Sequence, residues 1–441
     1  MENMISLAKR RGFIFQGSEI YGGLAGTWDY GPLGVALKNN VKNLWWKRFV
    51  ADREDMYGMD AAILMNQNAW KASGHVAGFS DPLVECEKCK RRFRADQLDA
   101  EAREKRKCPE CGGKLGAEKQ FNMMFKTHVG ASEDAAAVSY LRPETAQGMF
   151  VNFKNIIDAF HPKLPFGMAQ IGKAFRNEIA PRDFIFRTRE FEQMEIEYFV
   201  DPKDWKDTFE HFIREVRAFT ADVGLPKEKV HEYEVPGDSL AHYSKRTVDF
   251  EFDYPFGKKE LYGLAYRTDF DLKAHSATSG VDLSYYDEEA KARFVPHVIE
   301  PSFGVDRTVL AVLSEAYRED ELGGEKRVYL KLAPSVAPIK AAVFPLLKNK
   351  DALTAKAREI YQVLRKEFAK GSGGVEYDEV GSIGKRYRRQ DEIGTPYCVT
   401  IDFDTIEKDG SPVTVRDRDT GTQEAIPLKD LVSFLSQKLN R

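Results

Sequence analysis

Residues 175–199 read FRNEIAPRDFIFRTREFEQMEIEYF, and they alternate charged with aromatic side chains. Successive side chains of a β-strand point to opposite faces, so Arg176 and Glu178 are predicted to project the same way from a first strand. The segment APRD, residues 180–183, reads as a turn. After it, one parity collects Arg187, Arg189, Phe191, Gln193, Glu195 and Glu197. The other parity is mainly apolar and comprises Phe184, Phe186, Met194, Ile196 and Tyr198. We predict a hairpin with one core face and one face that forms a ligand-binding floor.

The polar face has two interpretations. It could be a solvated sheet surface whose opposite charges pair across strands. Alternatively, its mixture of guanidinium, aromatic plane and carboxylate suits a ligand that carries phosphate, a flat base and an amine. The second interpretation predicts a nucleotide and an amine-bearing substrate on one sheet.

The chain as a whole has the composition of a soluble globular protein, with 441 residues, 42% hydrophobic and 31% charged. Its length allows two or three domains. A formal charge of −3 excludes a generally basic protein, although the clusters KRRFR (90–94) and KRYRR (385–389) could bind a polyanion locally. The N-terminus has no signal-peptide pattern and no run approaches the roughly 18 apolar residues of a membrane span. We therefore expect a cytoplasmic protein with no membrane partner.

Four of the five cysteines form the spacing C-x2-C-x18-C-x2-C. They are Cys86, Cys89, Cys108 and Cys111. This spacing fits tetrahedral zinc, and four thiolates would leave no open position for water, so the predicted site is structural. Disulfides are the competing interpretation, but they are uncommon in a chain without an export signal. The fifth, Cys398 in YCVTIDF, is predicted to be a buried strand residue.

The order of predicted elements indicates two domains. Residues 2–10 and 35–54 follow helical spacing, and the Lys/Arg/Glu-rich residues 84–120 read as an insertion between strands. Residues 200–260 begin with a helix and continue into antiparallel strands, whereas strands and helices alternate from about residue 335. The prediction is an α+β domain built on an antiparallel sheet at 1–334, with insertions at 84–120 and 200–260, followed by an α/β domain at 335–441.

Arg307 is predicted to lie in the first turn of a helix that follows EPSFG, where the helix dipole disfavours a cation. A bound phosphate would reverse that penalty, because the free N–H groups of the turn and the guanidinium would both bind it. A surface arginine tolerated at slight cost is the alternative. GMAQIGKA, residues 167–174, nearly matches a P-loop, but its apolar interior predicts a strand. Any ATP is therefore expected to bind by another architecture.

Several segments together resemble the three motifs of class II aminoacyl-tRNA synthetases. They are DYGPLGVALKNN, FRNE with REFEQMEIEYF, and EPSFGVDR, with YLRPETAQG, FNMMFKT and SLAHY as flanking likenesses. Within that class the chain is most similar to the dimeric glycyl-tRNA synthetases, over nearly its whole length. The resemblance implies that residues 1–334 form the catalytic domain and residues 335–441 an anticodon-binding domain. It also implies the substrates ATP, glycine and tRNA(Gly), the ions Mg²⁺ and structural Zn²⁺, a homodimer, and no DNA partner.

The resemblance implies roles for individual residues. Arg176 would hold the α-phosphate and Arg307 the γ-phosphate, and these two are the implied catalytic residues. Glu178 would accept from the adenine amino group, Phe191 would stack on the base, and Glu260 would lie near the nucleotide and its magnesium. The full implied ATP set is Arg176, Asn177, Glu178, Phe186, Arg187, Thr188, Arg189, Glu190, Phe191, Glu260, Leu261, Gly304, Val305, Asp306 and Arg307.

Glycine offers no side chain, so its site must bind the ammonium and the carboxylate. By resemblance, Glu144, Glu195 and Glu300 surround the amine. The full implied glycine set is Arg94, Glu144, Phe191, Glu192, Gln193, Met194, Glu195, Glu300, Pro301, Ser302, Phe303 and Gly304. Because glycine has no smaller competitor, no editing domain is expected. Histidines have no required catalytic role, so His75, His128, His242 and His275 are predicted to be structural or surface residues.

The basic segment of the second domain is the predicted tRNA contact, since cations and a tyrosine on one loop and helix suit a single-stranded loop. Its residues are Lys385, Arg386, Arg388, Arg389 and, from a nearby strand, Arg416. A solvated helix face is the alternative. Two other functions stay open on sequence alone: a class II synthetase for another small amino acid, and a non-catalytic tRNA-binding paralogue.

Overall fold

The computed structural model describes residues 1–131, 134, 137–368 and 374–439. Its central feature in these ranges is a seven-stranded sheet. Its strands are β1 (Met56–Gly58), β2 (Phe166–Phe175), β3 (Glu190–Val200), β4 (Val230–Glu234), β5 (Arg246–Tyr254), β6 (Gly257–Thr268) and β7 (His297–Gly304). They lie in the order β4-β5-β6-β7-β3-β2-β1. Every neighbouring pair is antiparallel except β1 with β2. The predicted antiparallel α+β fold is confirmed.

Helices pack against the sheet, some at the main core and others at a second apolar cluster around Phe153, Phe166 and Phe199. They are α1 (Glu2–Arg10), α2 (Pro32–Trp46), α3 (Ala146–Phe160), α4 (Trp205–Asp222), α5 (Phe270–Ser279) and α6 (Val305–Ala316). Helix α2 begins with a proline at its first position, where the missing N–H has no intrahelical partner to lose, and continues as a π-helix at Lys47–Ala51. Trp45 and Phe49 are fully buried against Phe303. Trp45 and Phe49 are therefore core, and Trp46 packs against that core while partly buried.

The remaining elements are short, and two of them, Phe403–Glu407 and Leu428–Asp430, belong to the second domain. The short strands are Ile14–Gln16 with Trp28–Tyr30, Leu64–Met65 with Val138–Leu141 and Lys126–His128, Ser80–Glu85 with Arg92–Arg94 and Lys119–Asn122, Tyr285–Asp287 with Ala292–Phe294, and Tyr317–Leu322 with Glu325–Leu330. The short helices are Gln67–Ala72, His75–Gly78, Ala100–Glu104 and Phe403–Glu407, with 3-10 turns at Glu19–Tyr21, Ala95–Gln97, Lys227–Lys229 and Leu428–Asp430. No helix in the described part of the chain is long and apolar enough to span a bilayer.

The second domain has its own five-stranded sheet and its own core. Its strands are β8 (Ile339–Pro345), β9 (Gly374–Tyr377), β10 (Tyr397–Ile401), β11 (Pro412–Asp417) and β12 (Gln423–Pro427), in the order β9-β8-β10-β11-β12. Its helices are α7 (Asp351–Phe368), α8 (Ile383–Ile393) and α9 (Leu431–Leu439). Strands β8, β9 and β10 are parallel and β11 and β12 antiparallel. Cys398 lies fully buried in β10, as predicted.

Candidate active site

Strands β3, β6 and β7 carry the candidate site on the face of the sheet opposite the main core. In β3 the side chains of Met194, Ile196 and Tyr198 belong to the core. The alternate residues Phe191, Gln193 and Glu195 line two adjoining cavities. In β7, Phe303 is likewise core, while Glu300 and Ser302 line a cavity. The alternation that the sequence predicted therefore holds at these positions of β3, although Glu192, at the start of the strand, also lines the first cavity.

The first cavity, of about 270 Å³, is rich in arginine. Its lining includes Arg94, Arg176, Glu178, Phe186, Arg187, Thr188, Phe191, Glu192, Gln193, Glu260, Leu261, Ser302, Gly304, Asp306 and Arg307. Burial lowers the pKa of Arg187, and the nearby charges of Arg94 and Arg307 lower it further. Guanidinium groups that repel one another around a hollow favour an anion in that hollow.

Arg176 and Arg307 approach this cavity from different elements. Arg176 follows β2, donates through Nε to the Pro143 carbonyl at 3.0 Å, and lies 5.2 Å from the centre of the Phe191 ring. Arg307 lies in the first turn of α6, 3.2 Å from Glu260 Oε2 and 4.6 Å from the centre of the Phe186 ring. The Arg307 charge lowers the pKa of Glu260, so this carboxylate stays ionised at neutral pH. Two arginines remote in sequence thus line one hollow.

The second cavity, also about 270 Å³, is acidic and shares Arg176, Gln193, Glu260 and Ser302 with the first. Glu144, Glu195 and Glu300 line it. Glu195 accepts from the Thr145 backbone N–H at 3.1 Å and from Ser302 Oγ at 2.8 Å. Gly263 also lines it, and a Cβ added at Gly263 would meet nothing within 4 Å. The cavity therefore combines acceptors for a cation with open space.

A buried arginine pairs with two carboxylates at the acidic cavity. Arg267 donates to Glu300 Oε1 at 2.6 Å and, through Nε and Nη2, to both oxygens of Asp271 at 2.8 Å. Burial raises the pKa of Glu195 and of Glu300, and the neighbouring carboxylates raise both further. The partner of Glu144 is His75, whose Nε2 lies 3.3 Å away. Although burial opposes ionisation, His75 and Arg267 hold the pKa of Glu144 below its usual range. Glu144 is therefore the carboxylate most firmly ionised.

Some residues that the sequence assigned to the site lie outside both cavities. They are Asn177, Arg189, Glu190, Met194, Pro301, Phe303 and Val305. Met194, Phe303 and Val305 have core-facing side chains, and Pro301 lies opposite Leu264 on the same side of the sheet. Arg189 donates to the carbonyls of Ala25 and Glu178, while Glu190 is exposed and paired with Lys173. The assignment of the core-facing side chains to the site is corrected, whereas that of Asn177, Arg189 and Glu190 stays a prediction.

The structure also corrects the predicted end of the first hairpin strand. Strand β2 ends at Phe175, so Arg176 and Glu178 belong to the long connection 176–189 rather than to a strand. In that connection Asp183 and Phe184 have φ angles of 59° and 58°, which breaks the period of two. Phe186 consequently faces the arginine cavity, although its parity placed it on the core face.

Several residues that hold the cavity-lining carboxylates were not singled out from the sequence. Arg267 and Asp271 are four residues apart in YRTDFDL, a spacing that could have been flagged as an ion pair. Gln147 donates to Glu144 at 3.0 Å, and its Oε1 lies 2.7 Å from His275 Nε2. His75 and His275 are thus buried partners of site residues, whereas His128 and His242 are exposed.

The four predicted zinc ligands are brought together. The Sγ atoms of Cys86, Cys89, Cys108 and Cys111 all lie within 4.8 Å of one another, with Cys86–Cys111 at 3.5 Å and Cys89–Cys108 at 3.8 Å. Thiolates that bind one tetrahedral zinc at about 2.3 Å stand roughly 3.8 Å apart, whereas disulfide sulfurs stand at about 2.05 Å. The arrangement fits a four-cysteine metal centre rather than disulfides.

The predicted tRNA contacts are only partly exposed. Lys385 is exposed, and the side chains of Arg388 and Arg389 retain 30% and 32% of their accessible surface. Arg386 is 2% exposed and donates to the carbonyls of Pro345 and Gly381. Arg416 is 4% exposed and forms two hydrogen bonds to Asp391, at 2.8 and 3.0 Å. The assignment of Arg386 and Arg416 as RNA contacts is corrected, because both guanidinium groups are used inside the domain.

Comparison with known protein families agrees with this architecture. The family described as "tRNA synthetase class II core domain (G, H, P, S and T)" matches residues 125–316, which include β2, β3, β6, β7 and Arg307. The family described as "Anticodon binding domain" matches residues 340–438. The antiparallel sheet, the two cavities and these matches define a class II aminoacyl-tRNA synthetase with an anticodon-binding domain.

Individual relatives narrow the assignment. The chain is 50% identical to the glycine–tRNA ligase of Clostridium acetobutylicum over 465 aligned residues, which cover 100% of this chain and 98% of the relative. It is 50% identical to the glycine–tRNA ligase of Thermobifida fusca, with coverage of 100% and 98%, and 50% identical to that of Geobacillus thermodenitrificans, with coverage of 100% and 97%. The chain belongs to the glycine–tRNA ligase family.

Proposed function

We propose that this chain activates glycine with ATP to form glycyl-adenylate and then transfers glycine to the 3′ end of tRNA(Gly). The observation that carries the proposal is the pair of adjoining cavities, one cationic and one acidic, which share Arg176, Gln193, Glu260 and Ser302. An ATP and an ammonium-bearing substrate would meet where those residues lie.

ATP is proposed to occupy the arginine cavity. Phe191 and Glu178 would bind the adenine, and Arg307, from the first turn of α6, would bind the terminal phosphate. Arg176 lines both cavities, so it is suited to the α-phosphate, where the two substrates react. A guanidinium fixed before the reaction stabilises developing phosphoryl charge without reorganising.

Glycine is proposed to occupy the acidic cavity with its ammonium near Glu144, Glu195 and Glu300. Its carboxylate would then point toward Arg176 and attack the α-phosphorus, forming the acyl–phosphate bond while the bond to pyrophosphate breaks. No proton needs to be removed from a carboxylate nucleophile, which explains why the chemistry depends on positioning rather than on a catalytic triad. The tRNA 3′ hydroxyl would subsequently attack the acyl carbon, breaking the acyl–phosphate bond, and its proton would pass to the phosphate oxygen of the departing AMP.

Magnesium is proposed to accompany the nucleotide at Glu260. Mg²⁺ prefers carboxylate and phosphate oxygens, and Glu260 presents a half-exposed carboxylate at the arginine cavity. Burial, together with the charges of Glu260 and Glu251, raises the pKa of the adjoining Asp249 to about 7, which fits a place where a cation is needed. When bound, the ion would offset charge on the phosphate oxygens.

Exposed side chains are proposed to contact tRNA or a second copy of the chain. Lys385, Arg388 and Arg389 are proposed to contact tRNA phosphates, since their ends reach solvent. The exposed Ile20, Tyr21 and Leu24, 88%, 85% and 56% accessible, are proposed to be covered in a homodimer. A cytoplasmic location is proposed together with this role in translation.

Zinc is proposed to stabilise the module at residues 84–120. The module has a small core around Val84, Ala95 and Leu115 besides the cysteines, so the metal should supply much of its folding energy. We expect purified protein to contain about one equivalent of zinc and the Cys89→Ser variant to contain little. Cys398→Ser is the matched control and should retain the metal, because Cys398 lies in the other domain. Less than about half an equivalent in fully folded wild-type protein would contradict the assignment.

The proposed reaction is tested by amino-acid-dependent exchange between ATP and labelled pyrophosphate. Glycine should support exchange, while alanine and serine should support far less. A preference for alanine or serine would indicate a synthetase for another small amino acid. Absence of exchange with every amino acid, in protein that binds tRNA, would indicate a non-catalytic paralogue.

A further inference from the structure

A buried ionic network joins α2 to the two elements that carry Phe191 and Arg307. Lys38 Nζ lies 2.9 Å from Glu192 Oε2 and 3.5 Å from Asp306 Oδ1, and its side chain is only 12% exposed. Tyr30 donates its hydroxyl to Asp306 Oδ1 at 2.5 Å. The ammonium of Lys38 also lies 4.4 Å from the centre of the Tyr30 ring. One lysine thus contacts two carboxylates and the face of one aromatic ring.

The carboxylates of this network are occupied by protein donors. Asp306 Oδ2 accepts the backbone N–H of Glu192 at 2.7 Å, a bond that ties the start of β3 to the first turn of α6. Glu192 Oε1 accepts from Lys42 at 3.1 Å. Although Glu192 and Asp306 line the arginine cavity, their oxygens therefore point to partners within the protein. They are better explained as supports than as substrate ligands.

Each of these two carboxylates is next in sequence to a residue that lines the arginine cavity. Glu192 directly follows Phe191, and Asp306 directly precedes Arg307. The Glu192–Asp306 bond therefore sets the distance between the aromatic ring proposed for adenine and the guanidinium proposed for the terminal phosphate. Without Lys38, two carboxylates with side chains 14% and 10% exposed would face each other with less compensating charge, a situation that strongly favours their separation.

We propose that Lys38 is a positioning residue for ATP: by neutralising Glu192 and Asp306 it holds β3 and α6 at the separation that lets Phe191 and Arg307 bind one nucleotide. This inference rests on the proposed function, because it assumes that the arginine cavity binds ATP. Lys38 is not expected to position glycine, because Glu144 and Glu195 are held by His75, Thr145 and Ser302 instead.

The test measures ATP binding by equilibrium dialysis and, separately, KM for ATP and for glycine in pyrophosphate exchange. In Lys38→Met, a neutral side chain of similar length, we expect the Kd and KM for ATP to rise about tenfold or more, because small displacements of binding groups have large effects. KM for glycine should change less than about twofold, and Lys38→Arg should recover most of the ATP affinity. Lys47→Met, an exposed lysine beyond the end of α2, is the matched control and should behave as wild type.

Other results would overturn the inference. Equal rises in both KM values, or a lowered melting temperature with unchanged ATP affinity, would show that Lys38 only stabilises the fold. If Lys38→Met does not fold, Tyr30→Phe removes one donor to Asp306 and should still raise the Kd for ATP about threefold, whereas no change would refute the role. Wild-type protein that binds ATP but supports no exchange would refute the proposed reaction while leaving the binding comparison decisive for Lys38.

Discussion

Replacement of Arg307 by alanine is expected to lower kcat/KM for glycine-dependent pyrophosphate exchange by roughly 10²- to 10³-fold, the usual effect of removing one preorganised charge that faces a reacting group. Arg307 lies at the start of α6, where the helix dipole adds to its charge, so the free N–H groups and the guanidinium both favour phosphate. Arg307→Lys should recover only part of the activity, because an ammonium cannot reproduce the two parallel donors.

The same substitution should change stability little. The ion pair with Glu260 is partly exposed, with side-chain accessibilities of 25% and 50%, and such pairs contribute at most about 1 kcal/mol. A melting temperature close to that of wild type would therefore accompany the lost exchange. Arg182→Ala is the matched control, since Arg182 is exposed in the connection 176–189 and lies outside the arginine cavity. Exchange by Arg307→Ala within about threefold of wild type would contradict the proposed phosphate role.

The sequence predicted the site best where side chains sit in regular strands. In β3 and β7 the period of two separates Gln193, Glu195 and Ser302 from the core without any knowledge of the partner strands. In the connection 176–189 the same rule misplaced Phe186 and Arg189, because the backbone there is held by bonds from distant segments. Arg189 donates its backbone N–H to the Gly26 carbonyl at 2.7 Å, and no local pattern reveals that contact.

The pattern of charges in the sequence did not predict exposure where a charged side chain pairs with another group in the interior. Arg386 and Arg416 carry the same charge as Lys385 and Arg389. The side chains of Lys385 and Arg389 reach solvent, whereas those of Arg386 and Arg416 are buried. A buried arginine requires acceptors for its donors, and those of Arg416 come from Asp391 in the neighbouring helix. The convergence of Glu144, Glu195 and Glu300 likewise depends on topology: β3 and β7 are neighbours, but their residues are about a hundred positions apart in the chain.

Replacement of Glu195 by glutamine is expected to lower kcat/KM for glycine by about 100-fold or more, because the substrate ammonium would lose one of its buried anionic partners. The amide should fit without distorting the site. Ser302 donates to Glu195 Oε1, and a hydroxyl can turn to accept from an amide. Gln193 Nε2 also donates to Oε1, at 3.2 Å, and turning the Gln193 amide would present its unpaired oxygen to the new N–H, while Thr145 can continue to donate to the remaining oxygen of residue 195. Kinetic constants for ATP should therefore change much less than those for glycine, and a comparable loss for both substrates would count against an ammonium-binding role.

The pH dependence gives this prediction a second, independent measurement. Since burial and mutual repulsion raise the pKa of Glu195 and Glu300 in the folded protein, these groups take up protons at a higher pH than an ordinary glutamate. Affinity for the glycine ammonium should be present above that raised pKa and be lost as pH falls through it, so the acid rise in KM for glycine should begin at a higher pH than an ordinary glutamate would give. In Glu195→Gln one of the charges that raises the pKa of Glu300 is gone, and the acid rise in KM should move to lower pH. An acid limb that stays in place in the variant would show that Glu195 and Glu300 do not share the ammonium site.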